Sequence, residues 1–185
     1  MFSHLLPPQF VFLDLETTGL SAANNEIIEM AAVRFTPGLN DHPVFQILVK
    51  PELPIPPFIS RLTGITQKMV EAEGVALPQA MASLLAFIGD LPLVTYNAPF
   101  DLGFLREAAR RCHLTLSNPY TCALKCTKRA WPELRSHKLA NVAKVMGCSS
   151  DQQHRALADC HVGISVFMVS TLKLNQKVLW TKHRS

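Results

Sequence analysis

Residues 10–20 read Phe10-Val11-Phe12-Leu13-Asp14-Leu15-Glu16-Thr17-Thr18-Gly19-Leu20, and the fold turns on how this stretch is read. The apolar, β-prone run from Phe10 to Leu15 stops at Thr-Thr-Gly, the pattern of a strand that ends in a turn. Side chains alternate along a strand, so Asp14 and Glu16 share one face, about 7 Å apart along the chain. Two like charges on one face of a core strand cost free energy unless something positive sits between them. A divalent cation is the simplest such partner, and oxygen donors suit Mg²⁺ or Mn²⁺. The competing reading leaves both carboxylates at a frayed strand end, in water.

Working outward, Ile27–Phe35 and Val44–Lys50 read as two further strands, joined through Pro37-Gly38 and Asn40-Asp41 as a hairpin or meander. Pro51 to Pro57 is too proline-rich for a helix or a central strand and reads as an extended surface connection. Beyond it the period changes. Helical spacing is expected over Pro78–Ile88, Pro99–Cys112, His137–Met146 (closed by Gly147) and Arg155–Leu174, with strands at Leu91–Tyr96 and near Tyr120. Three strands in succession, then alternating helices and strands, imply an α/β domain with a mixed sheet whose first strand lies centrally.

Two more acidic motifs fall at element boundaries. Asp101, in Asn97-Ala98-Pro99-Phe100-Asp101, sits in the first turn of a helix that follows a strand. That is a position favoured by the helix dipole, and equally one that faces a site beyond the strand ends. In His154-Arg155-Ala156-Leu157-Ala158-Asp159, five residues of helix would separate the outer pair by about 140°. His154 and Asp159 therefore converge only if His154 precedes the helix and Asp159 lies in its second turn. A polar, helix-poor stretch, Ser149 to Gln153, allows this. Four carboxylates and one histidine at element ends are what two-metal phosphodiester hydrolysis requires.

The chain has 185 residues, enough for one domain with its own core, and 48% of them are apolar. No run approaches the roughly 20 apolar residues of a membrane span, and the start lacks a basic leader, so a cytoplasmic location is expected. The five cysteines show no CxxC pair and read as free thiols; Cys122 and Cys126 could share a helix face, but no further zinc ligands stand out. A net charge of +4, from 18 Lys and Arg against 14 Asp and Glu, permits a polyanionic partner without demanding one. Arg106, Arg110, Arg111, Lys125, Lys128, Arg129, Arg135 and Lys138 crowd one stretch, either as a binding face or as solvated helix surface. Residues 1–175 read as the domain and 176–185 as a basic tail.

The three motifs, in this order and spacing, resemble the DnaQ-like, or DEDDh, 3′→5′ exonuclease family, and the likeness spans roughly residues 10 to 170. Ile27 to Val33 and Leu62-Thr63-Gly64-Ile65-Thr66 are similar to the family's connecting segments. Cys122 through Pro132 looks closest to exonuclease X-type members and is similar to the proofreading ε subunit of bacterial DNA polymerase III. The resemblance implies an RNase H-like mixed five-stranded sheet flanked by helices, and release of nucleoside 5′-monophosphates from DNA or RNA 3′ ends. It implies two Mg²⁺ or Mn²⁺ ions on Asp14, Glu16, Asp101 and Asp159, with His154 as general base; a histidine pKa near 6.5 suits that task. Thr17, Gly19, Leu20, Asn97 and Phe100 would border the terminal nucleotide, although core packing is an equal reading of Phe100. One position departs: many members carry His where this chain has Thr63.

Two rival readings remain: an exoribonuclease with the same five core residues, and a non-catalytic interaction module on the same fold. Separately, Gln176-Lys177-Val178-Leu179-Trp180 resembles the Q-x-x-L-aromatic peptides that bind the bacterial sliding clamp; a helix end with a packed Trp is the competing account.

Overall fold

The computed structural model describes residues 6–147 and 154–182, with side chains as far as Gln176. Five strands, β1 (Phe10–Thr17), β2 (Ile27–Phe35), β3 (Val44–Leu48), β4 (Leu93–Thr95) and β5 (Tyr120–Cys122), form one sheet in the order β3-β2-β1-β4-β5. The expected mixed sheet is present. β1 pairs antiparallel with β2 and parallel with β4, and lies at the centre. The helices are α1 (Pro57–Thr63), α2 (Gln67–Ala72), α3 (Leu77–Ile88), α4 (Ala98–Arg111), α5 (Ala123–Ala130), α6 (Leu139–Met146) and α7 (Ala156–Lys182).

Strand alternation sorts β1 into two faces. Val11, Leu13 and Leu15 pack with residues of α3 and α4 on one side. Phe10 and Phe12 pack with Val142 and Ala143 of α6 and Cys160, Val166 and Phe167 of α7 on the other. Asp14 and Glu16 continue the second row. The face that begins as aromatic core thus ends as an acidic cluster beneath the start of α7.

Three helices escape the hydrophobic pattern. The Pro51–Pro57 segment is not simply a surface connection: Pro51 and Ile55 are buried, and Ile55 joins Ile28, Ile59, Ile65 and Val70 in a small core of its own. Pro57 starts α1, because proline preset in φ suits a first turn, and Gly64 at φ 73° ends it. Thr66 then caps α2 through its side chain, which accepts from Met69 N–H. α5 follows β5 directly and carries three basic residues, so its apolar face is short.

By length and composition Ala156–Gln176 could cross a membrane, contrary to the expectation that no run would. Half of that window is buried against the rest of the protein, with Val166 and Phe167 fully covered, so much of its apolar surface packs on the sheet side. The helix runs on through 176–182, so the clamp-like Gln176–Trp180 is helical in backbone; side chains from Lys177 onward lie outside the described residues. The four cysteines within the described residues are free, as expected.

α7 lies close on the sheet because Gly163 has no side chain. A Cβ there would stand 2.3 Å from the Phe12 ring. Ala is the better helix former by about 0.5–1 kcal/mol, yet overpacking a filled core costs about 1–3 kcal/mol. Gly163→Ala should therefore lower stability in urea unfolding, and the loss should shrink in a Phe12→Leu background. Purely additive effects in that double-mutant cycle would refute the contact as the cause.

Candidate active site

Five carboxylates converge where β1 ends. Asp14 and Glu16 come from β1, and Glu29 from β2 stands directly across from Glu16 in the register. Asp101 reaches in from the first turn of α4, and Asp159 from the first turn of α7, one turn earlier than expected because the helix starts at Ala156. Ligand atoms of Glu16, His154 and Asp159 lie within 4.8 Å of one another. His154 precedes α7 in the left-handed region (φ 61°), and its backbone N–H donates to Asp159 Oδ2 at 3.2 Å. The loop position expected for this histidine is what lets the pair meet.

The charges are poorly offset within the protein. Burial, then the neighbouring Asp101 and Glu16, hold the Asp14 carboxyl well above the ordinary carboxylate range. Burial followed by Asp159 and Glu29 pushes Glu16 up to about 8. Asp101 rises to about 7 through burial, although Thr95 Oγ1 donates to its Oδ2 at 2.8 Å and backbone N–H groups favour its charged form. Asp159 is also raised, chiefly by burial, with His154 acting against the rise. Hard oxygen donors, one imidazole and an excess of negative charge make a set that fits a divalent cation.

Glu29 is a member of this site that the sequence pattern does not single out. It sits inside Ile27-Ile28-Glu29-Met30-Ala31, an ordinary strand, and only the fold reveals its partners. It is fully buried. Its carboxylate accepts from Arg155 Nη2 at 2.8 Å, Ala156 N–H at 3.0 Å and Gln46 Nε2 at 2.8 Å. Glu29 thereby caps α7 and clamps the residue that follows His154. A lone charged residue in an apolar strand is the one signal that could have found it.

The remaining expected residues divide. Leu20 (88% exposed), Asn97 and Phe100 line the cleft that holds His154 and Asp159. Phe100 also packs on Phe104, ring centroids 5.0 Å apart, so it serves the core as well as the cleft. Thr17 and Gly19 build the turn: Thr17 Oγ1 donates to the Gly19 carbonyl at 2.6 Å, and the Asn25 side chain fills the space beside Gly19. Thr63, the departure from the family pattern, is buried and donates to Ile59 O at 3.0 Å within α1. Among the described residues no cysteine joins a cluster suited to a metal ion.

This sheet order and acidic cluster define an RNase H-like nuclease architecture. The RNase T exonuclease family model matches residues 11–167, and the chain belongs to that exonuclease family. It is 31% identical over 184 residues to the DNA polymerase III subunit epsilon of Aquifex aeolicus, covering 99% of this chain and 88% of that one. It is 33% identical over 171 residues to the PolC-type DNA polymerase III of Clostridium perfringens, spanning 92% of this chain but only 12% of that longer protein. Among solved structures, a zinc-bound complex of E. coli exonuclease I with single-stranded DNA superimposes with a TM-score of 0.78 over 96% of this chain and 43% of that one. At 22% identity that likeness speaks for the fold.

Because the carboxyl shifts are upward, the folded chain holds more protons than the unfolded one between about pH 4.5 and pH 8. Metal-free stability should therefore fall as pH rises through that window. Mg²⁺ or Mn²⁺ should raise the melting temperature more at pH 8 than at pH 5.5, by mass action on a site the protons have left. Thermal scans with and without EDTA check this, and a metal effect independent of pH would count against the cluster as the binding site. Separately, Arg155→Ala strands the buried Glu29 charge and should cost roughly 3 kcal/mol in urea unfolding, with Arg155→Lys recovering part.

Proposed function

We propose that this chain is a metal-dependent 3′→5′ exonuclease that trims single-stranded or frayed DNA 3′ ends to nucleoside 5′-monophosphates. The observation that carries this reading is the meeting of Glu16, His154 and Asp159 within 4.8 Å, beside Asp14 and Asp101. Asp14, Glu16, Asp101 and Asp159 would hold two divalent cations, Mg²⁺ or Mn²⁺, whose chemistry when bound is to activate water and to stabilise charge on the phosphate and the leaving oxygen. The residues of the chain do the rest.

His154, exposed at the mouth of the cluster, accepts the proton as water attacks the terminal phosphorus. The bond from phosphorus to the 3′ oxygen breaks, freeing a nucleoside 5′-monophosphate and leaving a new 3′ hydroxyl. Asp159 orients His154 by accepting its backbone N–H, while Thr95 holds Asp101 in place. Leu20 and Phe100 give the terminal nucleoside an apolar edge, and Asn97 adds a polar group beside them. The DNA polymerase III relatives support DNA as the substrate and replication or proofreading as the setting.

Wild-type protein with Mg²⁺ or Mn²⁺ should shorten 5′-labelled single-stranded DNA from its 3′ end. EDTA or Asp14→Ala should abolish the ladder, and His154→Ala should slow it by about 10²–10⁴-fold. An RNA strand run in parallel ranks the two substrates. Intact label with both metals would end the enzyme reading.

A further inference from the structure

The cleft that contains His154 and Asp159 extends well past them, to about 860 Å³, near the upper end of ligand-sized cavities (roughly 300–1,000 Å³). Its lining also includes Lys128, from the last turn of α5, and Lys138, the residue that precedes α6. Apolar side chains, among them Leu124, Leu139 and Phe100, share that lining. One cleft thus carries His154 and Asp159 together with two lysines and an apolar surface.

The stretch that supplies these lysines is poor in acids, and its backbone is tied to the sheet. Residues 112–150 hold six Lys and Arg and one acid, Glu133, which bonds to Lys173. Lys128 and Lys138 are exposed and make no ion pair among the described residues, whereas Arg110, Arg111, Arg155 and Lys173 each do. The connection between them is pinned to the sheet. Tyr96, just beyond β4 and one residue before Asn97, donates its hydroxyl to His137 O at 2.6 Å. His137 Nε2 donates to Trp131 O at 2.9 Å, and the Lys173 ammonium lies 3.3 Å from the centre of the Trp131 ring. The backbone beside Lys138 is thereby tied to the end of β4, and Trp131, which follows α5, to the same connection.

We infer that Lys128 and Lys138 bind successive phosphates of a single nucleic-acid strand whose 3′ end occupies the acidic site; this rests on the nuclease reading above. The cations answer the phosphates, and the apolar lining takes the faces of unpaired bases. A duplex offers no such faces, so the surface selects a single strand.

The test is fluorescence anisotropy with 5′-labelled dT12 across a salt series, in EDTA so that no turnover intervenes. The double variant K128A/K138A should raise Kd on the order of tenfold and reduce the slope of log Kd against log salt by about 1.4, or about 0.7 per lost phosphate contact. K128R/K138R, which keeps the charges, should bind like wild type. Hydrolysis of thymidine 5′-(p-nitrophenyl phosphate), which reaches only the acidic site, should retain its kcat/KM in K128A/K138A and so report intact folding. Unchanged Kd and slope in that variant would overturn the proposal, and so would a blunt 12-bp duplex that competes as well as dT12. A wild type that binds dT12 but hydrolyses neither the ester nor DNA with Mg²⁺ or Mn²⁺ would end the nuclease reading, while the binding comparison still decides the role of the lysines.

Discussion

The crowding of negative charge at the end of one central strand is the constraint from which the rest of this structure follows. Asp14 and Glu16 cannot leave the α7 side of the sheet, because Phe10 and Phe12 on the same row are locked under α7. Glu29 faces them from the neighbouring strand through its register. Folding the hydrophobic core therefore brings these carboxylates together whether or not a cation is at hand. The raised proton affinities of Asp14 and Glu16 express that cost. Only a ligand from solution, a proton or a metal ion, can neutralise the cluster fully.

Glu29 shows how the fold turns the same charge to use. Burying a carboxylate without partners is costly, and here the partners are the donors that begin α7. Arg155 and the Ala156 N–H close on it while Asp159 accepts from His154 N–H. The turn carrying His154 is held on both flanks, which suits a residue kept at positive φ, a conformation unfavourable for a side chain of this kind. Strand pairing between β1 and β2 and the aim of the histidine are thus linked through one buried carboxylate.

Much of this is legible in the sequence because it is written in local patterns. An apolar, β-prone run gives the bounds of β2, and the turn after Glu16 places the acidic pair at a strand end. The rotation of about 140° over five helical residues means His154 and Asp159 meet only if His154 precedes the helix, and it lies in a left-handed turn ahead of it. What stays hidden depends on distant partners. α1 and α2 are seven and six residues long, so no periodicity can build up, and the start of α1 is masked by prolines that read as extended chain. α5 is hidden by its lysines and arginine, whose role emerges only when α6 and the sheet are placed beside it. For Thr17 and Gly19 the resemblance implies a place at the nucleotide, and the bond between them is spent on the turn that presents Leu20.

The same division of labour explains why so exposed a residue as Leu20 sits beside so polar a site. Leu20 is 88% exposed on the turn after β1 and lines the cleft, where it offers an apolar edge to a ligand. Leu20 and Phe100 supply that apolar edge near carboxylates that repel one another, and the same cleft holds two lysines that make no ion pair among the described residues. The Tyr96–His137 bond ties the backbone just before Lys138 to the end of the sheet from which α4 starts. The cleft therefore offers a carboxylate and two lysines together, a combination that suits a polyanion whose phosphates meet the lysines while its end meets metal ions held by the carboxylates.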